Sequence, residues 1–155
     1  MKKLAIKLLA FPLLFGVFGC SSDKSQPADT NTPKPKSMLT EEADPMTNKG
    51  IGPISSVDIS KPIDQALAEH GKEVYEKNCT ACHKPTEKFI GPAPKGILDR
   101  RSPEWVMNMI LNPEQMIKED PIAKKLLMEF NGSPMANQHL SQEDARAVLE
   151  FFRTL

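Results

Sequence analysis

From Pro62 onward, apolar positions recur three and four residues apart, and they almost never alternate as they would in a strand. Ile63, Ala66, Leu67, His70, Gly71, Val74 and Tyr75 fall on one stripe, which predicts an opening helix with Pro62 in its first turn. Gly71 inside such a helix costs about 1 kcal/mol relative to alanine. Close approach of a second helix would account for it, and so would a simple weak spot. Residues 84–101 carry Gly91-Pro92-Ala93-Pro94 and read as a loop. Ser102-Pro103-Glu104 combines a cap, a first-turn proline and an acid matched to the helix dipole, opening a short helix through Leu111. Asn112-Pro113-Glu114 and Asp120-Pro121 repeat the device. Ile122, Leu126, Leu127 and Phe130 then form an amphipathic helix stopped by Asn131-Gly132. Ser141-x-x-Asp144 opens the last helix, whose buried face is Ala145, Val148, Leu149, Phe152 and Leu155 with Phe151 beside them. The fold class is therefore all-α, with four to five short helices.

The N-terminal pattern is different. Lys2, Lys3 and Lys7 precede an apolar run from Leu8 to Phe18, followed by Gly19-Cys20. As a helix this run would span about 17 Å, well short of a hydrocarbon core of roughly 30 Å, so an export signal over residues 1–19 is the stronger reading than a permanent span. The ending Val17-Phe18-Gly19-Cys20 resembles the lipobox of bacterial lipoproteins, in which the cysteine is lipidated and becomes the mature N-terminus. An ordinary cleaved signal with an incidental cysteine is the alternative. Ser21 and Ser22 follow Cys20 without an aspartate, which resembles outer-membrane sorting more than inner-membrane retention. Residues 20–60, rich in Ser, Thr, Pro, Lys and Asp, read as a flexible tether. Its late part, with Ile51, Ile54, Val57 and Ile59, is either free or laid against the domain that begins at 61.

Composition narrows the function. The chain has 155 residues, with 20 Lys+Arg against 20 Asp+Glu, so nothing suggests nucleic acid as a partner. Loss of residues 1–19 removes three lysines and no acid, leaving a formal charge of −3.

The chemistry concentrates in Cys79-Thr80-Ala81-Cys82-His83. Cys-x-x-Cys-His is the attachment pattern of a c-type haem. Two cysteines three apart on neighbouring helical turns can each bond a vinyl group of one porphyrin edge, and the adjoining histidine is carried under the ring to bind iron. A zinc site would need two more ligands, for which only His70 and His139 are at hand. A thioredoxin-like pair would need strand–helix–strand surroundings. Buried structural thiols leave the histidine unexplained. Haem attachment is the reading that accounts for all three residues.

With these motifs in place, residues 63–155 resemble the class I c-type cytochromes. Gly71-x-x-x-Tyr75 resembles that family's N-terminal helix, and Ala147 to Leu155 its C-terminal helix. The resemblance implies a cytochrome c-like fold around one covalently attached haem c. It also implies that the two helices cross at Gly71, with Phe151 packed there. Met135, which follows Pro134 just before the last helix, matches the family's distal iron ligand, with His139 as its rival. Met107, Met109 and Met128, inside helices, read as core fillers. A proline carbonyl in a Gly-Pro loop orients the ligating histidine in the family, which points to Pro92, with Pro94 as the alternative. Trp105 matches a tryptophan whose indole N–H serves a haem propionate in some relatives; ordinary core packing is the equal alternative.

An iron with both axial positions filled has no open site for substrate, so the expected activity is electron transfer and not enzymatic catalysis. Lys84, Lys88, Lys95, Arg100 and Arg101 against Glu87 and Asp99 form a basic stretch that would steer acidic redox partners; a generic solvated surface is the alternative. The expected protein is a monomer held by lipid on Cys20 at the periplasmic side of the cell envelope. A resemblance to single-haem lipoproteins of nitrous oxide respiration makes a copper-containing reductase a candidate acceptor. A haem-based sensor with a displaceable sixth ligand is the second reading. A peroxidase is a third, but no distal acid–base pair is evident.

Overall fold

All but one of the helices begin where a short polar side chain takes up a backbone N–H left free at the start. In the computed structural model, residues 44–155 are described, and all of them belong to one compact unit. The segment 1–19, Cys20 and the tether as far as residue 43 lie outside the described residues. Five α-helices follow in order: α1 (Gln65–Asn78), α2 (Pro103–Leu111), α3 (Pro113–Glu119), α4 (Pro121–Glu129) and α5 (Gln142–Phe152). A 3-10 turn, Ile97–Asp99, precedes α2, and among the described residues there is no strand.

Asp64, Ser102, Asp120 and Ser141 cap α1, α2, α4 and α5 through their side chains. Pro62 therefore lies outside α1, two residues before its cap, and not in its first turn. Asn112 precedes α3 without capping it; its amide donates instead to the Ile51 carbonyl and to Gln115.

The largest interface joins α1 to α5. At their crossing a Cβ on Gly71 would overlap the carbonyl of Ala147, so only glycine lets the two backbones meet. Close helix approach is thus the reason for Gly71, but the residue received there is Ala147. Phe151 packs one turn away, with its ring centroid 5.3 Å from that of Tyr75. The principal core lies between α2, α3 and α5, where Trp105, Val106, Ile110, Met116, Val148 and Leu149 are buried. Met107 is buried with them, whereas Met128 is 77% exposed and is no core filler.

The segment 48–61 is no tether. Ile51, Ile54, Val57 and Ile59 pack on the core as an extended arm. The buried Asn108 amide donates to the carbonyls of Lys49 and Ile54 and accepts from the Ile54 N–H. Arg153 donates to the carbonyls of Ile59 and Lys61, and the Asp64 N–H donates to Glu150. The folded unit thus begins upstream of 61, because polar side chains buried on the helices satisfy the arm's backbone.

Candidate functional site

The motif lies just past the end of α1, in a turn that prolongs the helix's hydrogen bonding. Cys79 caps α1, and its carbonyl accepts from the N–H of Cys82 at 3.1 Å and of His83 at 2.8 Å. Tyr75, buried in α1, donates its hydroxyl to the His83 carbonyl at 2.9 Å. The Gly91 N–H donates to the Cys82 carbonyl at 2.9 Å and folds the following loop back over the motif. Two of these bonds hold the backbone of His83 itself, and the other two hold Cys82 beside it.

The imidazole is held as firmly as its backbone. His83 Nδ1 lies 2.8 Å from the carbonyl oxygen of Pro92. A carbonyl can only accept, so Nδ1 carries the proton and Nε2 keeps a free lone pair, the form that binds a metal. Gly91 lies flat against the ring, where a Cβ would overlap Cε1. Pro94 makes no such bond to the ring.

Beside the motif lies a cavity with two adjoining lobes of about 230 and 90 Å³. Cys79, His83, Pro92, Trp105, Met109 and Met135 line both lobes, and Cys82 lines the larger. Met135 comes from the irregular stretch between α4 and α5. His139, from the same stretch, is exposed, adopts a positive φ of 54° and does not line the cavity. His70 pairs with Asp144 at 3.0 Å on the surface. Met109, read as core, packs against the core and also contributes to the cavity wall.

Trp105 differs from one of its two expectations. Its indole N–H donates to the buried Asp120 carboxylate at 3.1 Å, so it is not directed to a propionate. Its ring still forms part of the wall. The neglected residue is Arg101, which also lines the cavity. Its guanidinium lies 5.4 Å over the Trp105 ring, and its buried Nε has no hydrogen-bond partner. Burial is the main reason that its acidity is increased over that of a free arginine. An anion in the cavity would relieve both conditions.

The donor set therefore fits haem c: two thiols, a free imidazole Nε2, a thioether, apolar walls and an orphaned guanidinium N–H suited to a propionate. It does not fit the alternatives. Among the described residues no group of three or more His, Cys, Asp or Glu could hold a metal, which removes the zinc reading. Burial, with Cys82 as a lesser cause, pushes the free Cys79 thiol up to about 11, the opposite of an activated redox cysteine.

The family model described as Cytochrome c matches residues 68–155. Among solved structures, cytochrome c from Rhodothermus marinus is 44% identical, with a TM-score of 0.64, over 66% of this chain and 88% of that one. An engineered form of it (Rma TDE), bound to a carbene intermediate, is 43% identical with a TM-score of 0.61, over 66% and 88%. The cytochrome c domain of the pp3183 protein from Pseudomonas putida is 24% identical with a TM-score of 0.51, over 54% and 85%, and shares the fold alone. No curated protein matches the chain.

Proposed function

This chain belongs to the cytochrome c family, and from that premise we propose that it is a single-haem electron carrier of the bacterial cell envelope with histidine–methionine ligation of its iron. Membership of the family brings one covalently bound haem c and an electron-transfer role with redox protein partners. When bound, the haem supplies one-electron Fe(III)/Fe(II) chemistry. The chain's own residues attach it, orient it and tune it. Cys79 and Cys82 would carry the thioether bonds, His83 Nε2 would bind iron on one side, and Met135 would bind it on the other. Thioether ligation raises the reduction potential relative to two nitrogen ligands. The Pro92 carbonyl fixes the tautomer and plane of His83, and Arg101 would hold a propionate.

The observation that carries this reading is the meeting in one cavity of His83, with Nε2 left free, and Met135, which lies 52 residues further along the chain. Lys84, Lys88, Lys95 and Arg100, in the segment that carries the Pro92 loop, suit an acidic redox partner, docking through a small and short-lived interface. The export pattern of residues 1–19 and the lipobox-like Cys20 support anchoring by lipid at the periplasmic side, in the outer membrane before the inner. A copper-containing terminal reductase, such as nitrous oxide reductase, is the proposed acceptor. A redox titration of the holoprotein, then stopped-flow oxidation by such a reductase, tests the reading. A reversible one-electron wave and fast oxidation support it, while a haem that does not cycle contradicts it.

Two observations favour the second reading, a ligand-binding haem protein. Met135 sits in a stretch without regular structure, and the engineered relative is described with a carbene intermediate bound. Rapid binding of carbon monoxide to the reduced protein would decide for it.

A further inference from the structure

A closed ring of hydrogen bonds ties the N-terminal arm to the tryptophan of the haem cavity. Asn48 Nδ2 donates to Asp120 Oδ2 at 2.6 Å. Asp120 Oδ1 accepts from the Trp105 indole N–H at 3.1 Å and from the Ala123 N–H at 2.8 Å. The Trp105 backbone N–H donates to Ser102 Oγ at 3.1 Å, and Ser102 Oγ donates to the Asn48 carbonyl at 2.6 Å, which closes the ring. Asn48 is itself held, since its Oδ1 accepts from the Gly50 N–H at 2.8 Å.

Two members of the ring are buried from solvent. Asp120 is 2% exposed and Trp105 3% exposed. A buried carboxylate is tolerated only while its oxygens are bonded, and Oδ2 has Asn48 alone. Without that amide the carboxylate must turn toward water or toward the Arg101 guanidinium, and in turning it releases the indole. The indole ring lines both lobes of the cavity, whereas Asp120 lines neither. The orientation of the indole would therefore set how closely a buried negative charge approaches a bound haem. That distance acts on the balance between Fe(III) and Fe(II).

We propose that the arm is a positioning element of the redox site: Asn48 holds Asp120, Asp120 holds the Trp105 indole, and the chain of three sets the reduction potential. The proposal rests on the electron-carrier reading. Asn48 does not line the cavity and its loss changes no formal charge, so its effect on the potential is expected to pass through this chain.

The only tryptophan in the sequence makes the test clean, because one indole N–H resonance reports on the ring. The holoprotein is compared with its Asn48→Ala and Asn112→Ala variants. Asn112 also bonds the arm, at the Ile51 carbonyl, but it has no bond to Asp120 or Trp105. In the reduced protein, Asn48→Ala is expected to speed hydrogen exchange at the indole by about five-fold or more, the loss of one hydrogen bond, and to shift the midpoint potential. Asn112→Ala is expected to lower thermal stability while leaving exchange and potential as they are. Unchanged indole exchange in Asn48→Ala, or equal changes in both variants, overturns the proposal. If the wild-type protein shows no reversible wave, the carrier reading fails instead, and the indole comparison still decides whether the arm holds the tryptophan.

Discussion

The imidazole of His83 is pressed against the backbone of Gly91, so closely that the ring and an alanine methyl at position 91 could not both keep their places. Gly91→Ala should therefore displace the ring and lengthen its 2.8 Å bond to Pro92. Overpacking of this kind costs about 1–3 kcal/mol. Lower holoprotein yield, a changed optical spectrum and a shifted midpoint potential are the expected results, read by spectra at controlled potential.

Gly71 makes a similar demand at the crossing of α1 and α5. In an isolated helix Gly71→Ala would add about 1 kcal/mol of stability from propensity alone. Here the methyl meets the Ala147 carbonyl, a backbone group that cannot step aside. A net loss of about 1–3 kcal/mol is expected in denaturant unfolding of the holoprotein. A gain would mean that the helices do not approach as described.

Tyr75 is the only tyrosine in the sequence, so its titration can be read directly. Burial, with Cys79 as a lesser cause, pushes its hydroxyl up to about 12. Unfolded chain ionises at about 10. The protonated hydroxyl's contribution to stability is thus whole below about pH 10 and is lost as pH rises through the folded value. Ultraviolet absorbance should show no phenolate in folded protein until close to that value. Tyr75→Phe should remove this alkaline loss and cost about 1 kcal/mol at neutral pH through the missing bond to the His83 carbonyl.

Acid works on the other end of the molecule's charge pattern. Glu150 is 1% exposed and accepts from Arg146, Arg153 and the Asp64 N–H. Burial alone would raise its carboxyl, but the two guanidinium groups and the Asp64 N–H hold it below the ordinary range. Asp144 is lowered as well, first by the Ser141 hydroxyl and then by His70. A carboxylate lowered on folding lends stability above its unfolded value and loses it as pH falls through the folded one. Melting temperature should fall on acidification through the carboxylate range. Glu150→Gln, which keeps the shape and loses the charge, should cost about 2–3 kcal/mol at neutral pH and flatten that acid slope.

Local signals carried most of the fold. Ser102, Asp120 and Ser141 announce their helices because a cap needs only a side chain and the next few N–H groups. The haem motif is equally local, and the resemblance of its Pro-Met setting pointed to Met135, which lines the cavity. What stayed hidden depends on pairs distant in sequence. Nothing around Asn48 indicates that its partner is Asp120, and nothing in α5 marks Glu150 as a buried anchor for residues 59–64. Whether the arm packs is open in the sequence because its backbone partners, Asn108 and Arg153, are ordinary polar letters until the helices bring them together. Trp105 pointed correctly to the cavity but not to where its N–H would go, since Asp120 also reads as a helix cap and does serve as one. Arg101 was visible only as one charge in a basic stretch.

In the proposed carrier, iron held between His83 and Met135 has no position left open. Optical titration of the reduced holoprotein with carbon monoxide, wild type beside Met135→Ala, tests it most directly. The wild type should show a low-spin spectrum indifferent to the gas, and Met135→Ala should bind carbon monoxide rapidly with a lowered midpoint potential. Equal indifference in both proteins, with spectrum and potential unmoved by the substitution, would contradict it.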